Sequence, residues 1–213
     1  MPPKLTSKTS KKDQAYEKIR ALICQPGARA YQNLTETALA KQLQISRTPV
    51  REALIELQSE GFLSIIPNRG IFIHDPSISE VRSLYDIRIA LEQFVLGELC
   101  GSLKEEDFKA LQEIMDKQAR CIPETRTDEF ITEDRNFHLY FFKTFGNPLM
   151  LEQFLTLRSR LYRVNYRMLQ SSDNMTTFHS EHERIVGFLK AGNKLEAISG
   201  MGFHLKGAKS RLL

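Results

Sequence analysis

Asp134 and His138 stand four residues apart in a stretch of helical periodicity, so a carboxylate and an imidazole project from one face about one turn apart. His182 and His204 fall on two later helical stretches. One carboxylate and three imidazoles form a donor set of borderline hardness, suited to Zn2+, Ni2+, Mn2+ or Fe2+. Four such ligands would leave coordination positions for water or a ligand oxygen. Spacing alone does not decide the matter. An Asp/His pair four apart equally suits a hydrogen bond on a helix surface, and histidines 22 residues apart have no diagnostic spacing.

A second constellation lies near the N-terminus. In Ser46-Arg47-Thr48-Pro49-Val50-Arg51-Glu52-Ala53-Leu54, the apolar residues Val50, Ala53, Leu54 and Leu57 recur at i, i+3, i+4 and i+7 and define a core face. Arg47, Thr48 and Arg51 are left on the other side of the first turns. Pro49 sits where a missing N–H costs no helical bond. Arginine pairs bidentately with guanine or clamps phosphate, and a helix N-terminus favours phosphate too, so this end suits a DNA major groove. By spacing alone a solvated helix face fits as well.

The elements that position these groups follow from periodicity and breakers. Residues 1–12 read as a disordered tail. A helix carrying Tyr16, Ile19, Leu22 and Ile23 begins at Asp13 and ends at Pro26-Gly27. A short helix follows Thr35, with Leu39, Ala40 and Leu43 on one side, then a tight turn at Gln44-Ile45 and a helix from Ser46 to about Ser59. The period then changes: residues 62–66 and 71–74 read as two short strands around Pro67-Asn68-Arg69-Gly70. Such a wing can place Arg69 at a minor groove or a phosphate. Residues 76–78 make a linker, so a winged helix-turn-helix over 13–75 precedes a helical domain over 79–213. Helical patterns run over 79–99, 104–119, 126–145, 148–169, 174–191 and 194 to the end, separated by short breakers. The fold class is therefore mostly α, an N-terminal winged helix-turn-helix plus an antiparallel bundle of about six helices.

Bulk properties narrow the class. The net charge is +4, and all of it lies in the first third: through Asp75 there are 11 Lys/Arg against 7 Asp/Glu, and beyond it 19 of each. A positive domain joined to a neutral one suits phosphate attraction at one end. Cys24, Cys100 and Cys121 offer neither a disulfide framework nor a metal-knuckle spacing. No apolar run approaches the roughly 20 residues that span a bilayer, and the Lys/Ser/Thr-rich start is no secretory signal. The expectation is a cytoplasmic protein without a membrane partner.

The segment from Ser46 to Leu54, with Leu57, Glu60-Gly61 and Pro67-Asn68-Arg69-Gly70, closely resembles the winged helix of the GntR superfamily. The resemblance covers residues 13–75. It implies DNA contacts at Arg47, Thr48 and Arg51, with Gly70 letting the wing approach the backbone. Two positions depart from the pattern: Gln44 replaces a usual glycine at a left-handed turn, and Thr37 stands where a basic contact is common. Arg88-Ile89-Ala90-Leu91-Glu92, Asp134 to His138, Gly146-Asn147, Glu181-His182 and Met201 to Leu205 resemble, in order, the FCD-type effector domain of the FadR-like branch. That likeness implies a divalent ion at Asp134, His138, His182 and His204, with a small carboxylate metabolite completing its coordination. Arg88 then either clamps the effector carboxylate or pairs with Glu92 one turn on. His179 is off the motif and reads as a surface or outer residue, and His74 as structural. Arg158, Arg160, Arg163 and Arg167 form a basic run on one long helix, some of them candidates to face the pocket and most of them facing solvent or a dimer partner.

The resulting expectation is a ligand-responsive regulator, a homodimer on a pseudo-palindromic duplex, acting as a repressor. A metal-sensing regulator remains an alternative. A metal-dependent enzyme is more remote, since no His-Glu-x-x-His, nucleophile elbow or glycine-rich phosphate loop occurs.

Overall fold

The computed structural model describes residues 10–24, 35–59, 62–67, 69–73 and 76–212. It divides into two units, Met1–Asp75 and Pro76–Leu213. Most of the expected tail, Asn68 at the wing tip, His74 and Asp75 lie outside the described residues.

The first unit contains α1 (Lys11–Cys24), α2 (Glu36–Leu43), α3 (Arg47–Ser59), β1 (Leu63–Ile66) and β2 (Gly70–Ile73). Lys11 and Lys12 belong to α1 and not to a tail. The cause is local: the Ser10 and Asp13 side chains each accept the other residue's backbone N–H, at 3.0 and 3.1 Å, which caps the helix two residues earlier than its apolar pattern begins. Thr35 caps α2 by accepting from the Ala38 N–H. α1 and α3 pack together, and α3 buries Val50, Ala53, Leu54 and Leu57 completely. The strands pair antiparallel, with Leu63 opposite Ile73 and Ile66 opposite Gly70. Gly70 has φ 89°, a value its lack of a Cβ permits.

The second unit comprises α4 (Ile78–Leu99), α5 (Glu105–Cys121), α6 (Thr127–Phe145), α7 (Pro148–Met168), α8 (Ser172–Lys190) and α9 (Lys194–Arg211). Ser77 caps α4 through the Glu80 N–H, so Ile78, read as linker in the sequence, is already helical. Gly146 ends α6 in the left-handed region at φ 77°. Asn147 then caps α7 by accepting from the Leu149 and Met150 N–H groups, and Pro148 occupies the first helical position. α4 packs on α6, α7 and α9, α5 on α6 and α8, and α8 on α9. The α4–α9 approach is close: a Cβ at Gly202 would stand 2.4 Å from Gln93 Nε2. One continuous core fills the bundle, rich in phenylalanine at Phe130, Phe137, Phe141, Phe142, Phe154 and Phe178.

Gln44 closes α2 with φ 56° and ψ 38°, its N–H reaching the carbonyls of Ala40 and Lys41. A side chain there pays for a left-handed conformation that glycine adopts freely, at a cost of about 1 kcal/mol. Gln44→Gly is expected to stabilise the N-terminal unit by about that amount in urea unfolding; an unchanged or lower midpoint would show that this turn is unstrained.

Candidate metal centre and nucleic-acid interface

Helices α6, α8 and α9 bring Asp134, His138, His182 and His204 together. One ligand atom from each lies within 4.8 Å of the other three, and all four residues are buried. Two ligands each about 2.1 Å from one ion can be no more than about 4.2 Å apart. A pair at the full 4.8 Å must therefore close by at least about 0.6 Å to share one ion.

The outer contacts fix which atoms face inward. His138 Nδ1 donates to Glu92 Oε2 at 2.5 Å, His182 Nδ1 to Gln118 Oε1 at 3.0 Å, and His204 Nδ1 to Glu181 Oε2 at 2.7 Å. Each imidazole thus carries its proton on Nδ1 and turns an unprotonated Nε2 to the centre, the arrangement by which acceptors orient metal-binding histidines. Arg158 Nη2 donates to Asp134 Oδ2 at 2.6 Å, which leaves Oδ1 facing the same space.

The inward atoms do not satisfy one another. Asp134 Oδ1 and His138 Nε2 are buried without a hydrogen-bond partner. Asp134 Oδ1 stands 3.8 Å from both His138 Nε2 and His182 Nε2. The His182 and His204 Nε2 atoms face each other at 3.4 Å with both protons spent elsewhere. Four lone-pair donors around one buried point, with no proton among them, is a costly arrangement that a cation relieves.

Electrostatics favour the same state. Burial, followed by the neighbouring imidazoles of His204 and His138, holds His182 well below the ordinary histidine range. Burial also lowers His138, against the pull of Glu92. Asp134 is held below the carboxylate range: burial opposes this, but Arg158 and then His138 and His204 outweigh it. Glu92 is likewise depressed, by Arg88 and His138 acting against burial. At neutral pH His138 and His182 are therefore neutral and Asp134 is ionised, the forms that bind metal.

Arg88, only 2% exposed, pairs with Glu92 through Nε at 2.7 Å, as the intrahelical alternative had it. Its Nη2 remains buried without a partner. His179 lies half-buried near Glu183 on α8, away from the cluster contacts. Three residues were not placed by the sequence reading. Gln118 is a wholly buried polar side chain on α5, and nothing in its surroundings marks it. Arg158 and Arg163, two members of the basic run, are both buried.

In the N-terminal unit, Arg47, Thr48 and Arg51 are all exposed on the first turns of α3, opposite its buried face. Thr37 is exposed on α2 and Arg69 on the turn between the strands, where its N–H donates to the Ile66 carbonyl.

The chain matches the family "Bacterial regulatory proteins, gntR family" over residues 11–73 and the FCD domain over residues 83–207. It is 30% identical to the Nta operon transcriptional regulator of Aminobacter aminovorans over 77% of this chain and 74% of that one. It is 29% identical to the HTH-type transcriptional repressor RspR of Escherichia coli, over 62% of this chain and 58% of that protein. Its fold superimposes on Escherichia coli McbR/YncC with a TM-score of 0.76 at 22% identity, covering 95% of this chain and 97% of the other.

Glu92 is the single carboxylate between Arg88 and His138. Glu92→Gln leaves the buried guanidinium uncompensated and is expected to cost about 3 kcal/mol in urea unfolding at pH 7. In the wild type, depressed carboxylates give stability that is complete above the unfolded carboxylate range and is lost as pH falls toward their folded values. His138 and His182, held neutral by burial, add to the loss below about pH 6.5. Wild-type stability in Glu92→Gln would contradict the assignment. From the two matched families and the relatives, the chain belongs to the GntR family of DNA-binding transcriptional regulators, with an FCD domain as its helical half.

Proposed function

We propose that this regulator responds to a small carboxylate metabolite held at a divalent metal, Zn2+ or Ni2+ first and Mn2+ or Fe2+ next, bound by Asp134, His138, His182 and His204. The observation that carries the reading is the inward convergence of three Nε2 atoms and Asp134 Oδ1 without protons to share. The charged side chains bonded to the cluster are Asp134, Glu92, Glu181, Arg88 and Arg158, one negative charge in sum. A divalent ion turns this to one positive charge, which an anionic ligand neutralises. The unpartnered Arg88 Nη2 supplies a second donor for a carboxylate. Metal that remains bound through dialysis, with DNA affinity unchanged by chelation and re-addition, argues against the ion itself being the signal.

At the other end, Arg47, Thr48 and Arg51 enter a major groove while Thr37, Arg69 and Gly70 meet the backbone or the minor groove. The protein acts in the cytoplasm as a homodimeric repressor on a pseudo-palindromic operator, and the effector shifts the population between two spacings of the winged helices.

Arg47→Ala or Arg51→Ala is expected to weaken binding to a duplex selected from a random pool by about 1–3 kcal/mol. Wild-type affinity in both would sink the groove assignment. His138→Ala and His182→Ala are expected to lose metal by elemental analysis and melt at lower temperature, since metal binding is shared with folding. Retention of a full equivalent in both would overturn the ligand set. Among mono- and dicarboxylates screened by thermal shift, an effector raises the melting temperature in proportion to RT ln(1 + [L]/Kd) in the metal-loaded protein only.

A further inference from the structure

His182 is held differently from the other two imidazoles of the cluster. Glu92 and Glu181 take the Nδ1 protons of His138 and His204. An ionised carboxylate only accepts hydrogen bonds, so each of those rings has one tautomer open to it. His182 Nδ1 instead faces Gln118 Oε1, at 3.0 Å. A primary amide carries an acceptor and a donor on one carbon, and half a turn about its terminal bond exchanges the two.

For Gln118 that exchange loses no hydrogen bond. The side chain is wholly buried, and its Nε2 is without a hydrogen-bond partner among the described residues. Turned over, the amide presents Nε2 to His182 Nδ1 and leaves Oε1 where the unpartnered nitrogen stood. One hydrogen bond is made in either setting, and one end of the amide is idle in either setting.

What changes lies across the imidazole ring. When Oε1 faces His182, the ring proton is on Nδ1, and the Nε2 atoms of His182 and His204 oppose each other as two lone pairs at 3.4 Å. When the amide nitrogen faces His182, the proton belongs on the ring's Nε2, which then donates to His204 Nε2 across the same gap. A repulsion becomes a hydrogen bond, which suits a centre without an ion. The ring itself stays in place: Phe137 stacks on it with centroids 3.9 Å apart, and the His138 and His204 rings lie at 5.3 and 4.7 Å. One N–H bond breaks at Nδ1 and one forms at Nε2, with water carrying the proton. The imidazole remains neutral, and nothing is oxidised or reduced.

We propose that Gln118 is a two-position switch for His182: its amide oxygen holds the ring ready to ligate, and its amide nitrogen holds it in a metal-free form hydrogen-bonded to His204. Gln118, on α5, is then a positioning residue that acts through His182. The proposal rests on the metal-centred reading above and adds how the same cluster stands without an ion.

Histidine-selective 15N labelling with long-range proton–nitrogen correlation tests it, because it reads which ring nitrogen carries the proton. The full chain is measured after stripping with a chelator and again after one equivalent of Zn2+. The expected result is Nε2–H on His182 and Nδ1–H on His138 and His204 in the stripped protein, and Nδ1–H on all three once loaded. In chelator competition, Gln118→Glu, whose carboxylate matches the partners of the other two rings, is expected to bind Zn2+ at least about tenfold more tightly. Gln118→Met, of similar size but with neither donor nor acceptor, is expected to bind it about 10–100-fold more weakly. A side chain that only filled space would lose affinity in the glutamate variant as well, and that result overturns the proposal. Zn2+ uptake with His182 on Nδ1 both before and after leaves the metal centre standing and removes the switch. A tautomer change on Zn2+ binding, with no carboxylate then raising the melting temperature, leaves the switch standing and removes the carboxylate-responsive reading. A chain that takes up no Zn2+ removes both.

Discussion

Three imidazoles are each held by the outer nitrogen, and everything about the helical domain's site follows from that. Glu92, Gln118 and Glu181 come from α4, α5 and α8 and take the Nδ1 protons of His138, His182 and His204. Once those protons point outward, the inner nitrogens can only present lone pairs, and burial removes the water that would otherwise satisfy them. Arg158 imposes the same choice on Asp134 by occupying one oxygen. The bundle thus uses six helices to place four donors about a point, with an amount of buried polarity that packing alone does not require.

The arrangement also ties the site to the body of the domain. Arg88 and Glu92 are on α4, the helix that begins directly after the linker, and Glu92 reaches a cluster residue on α6. Arg158 on α7 is two residues from Arg160, which pairs with Glu80 in the first turn of α4. Two of the helices bonded to the cluster, α4 and α7, thus also meet through an ion pair near the start of α4. On the DNA-binding side the logic is simpler: a buried apolar face sets α3 against α1, and the arginines are what remains exposed.

Much of this was legible in the residues, for identifiable reasons. Breakers such as Gly146-Asn147 mark helix ends because the glycine can take positive φ and the asparagine can cap, and both do. The period-2 stretch around residues 62–73 resolves into two paired strands. Gln44 shows its departure directly, as a left-handed glutamine. Boundaries were less visible where short-range capping outran the apolar pattern. Ser10 with Asp13 starts α1 inside a stretch that reads as tail, and α8 starts at Ser172, two residues before its apolar rhythm suggests. In the site, the ligands themselves came from family likeness more than from spacing, because residues 134, 182 and 204 meet only through tertiary packing. Gln118 was invisible: a glutamine in a helix of high polarity carries no mark of burial. Arg158 could not be singled out within its run, since a row of arginines on one helix looks alike until Asp134 is seen beside one of them.

The central claim is that the converging nitrogens and the carboxylate oxygen hold an ion, and X-ray absorption at the metal edge of the purified protein addresses it most directly. The account predicts about one metal per chain with a first shell of three imidazole nitrogens and carboxylate oxygen near 2.0–2.2 Å. A protein purified without chelators that carries no metal and takes none up, or a shell without imidazole, would contradict it.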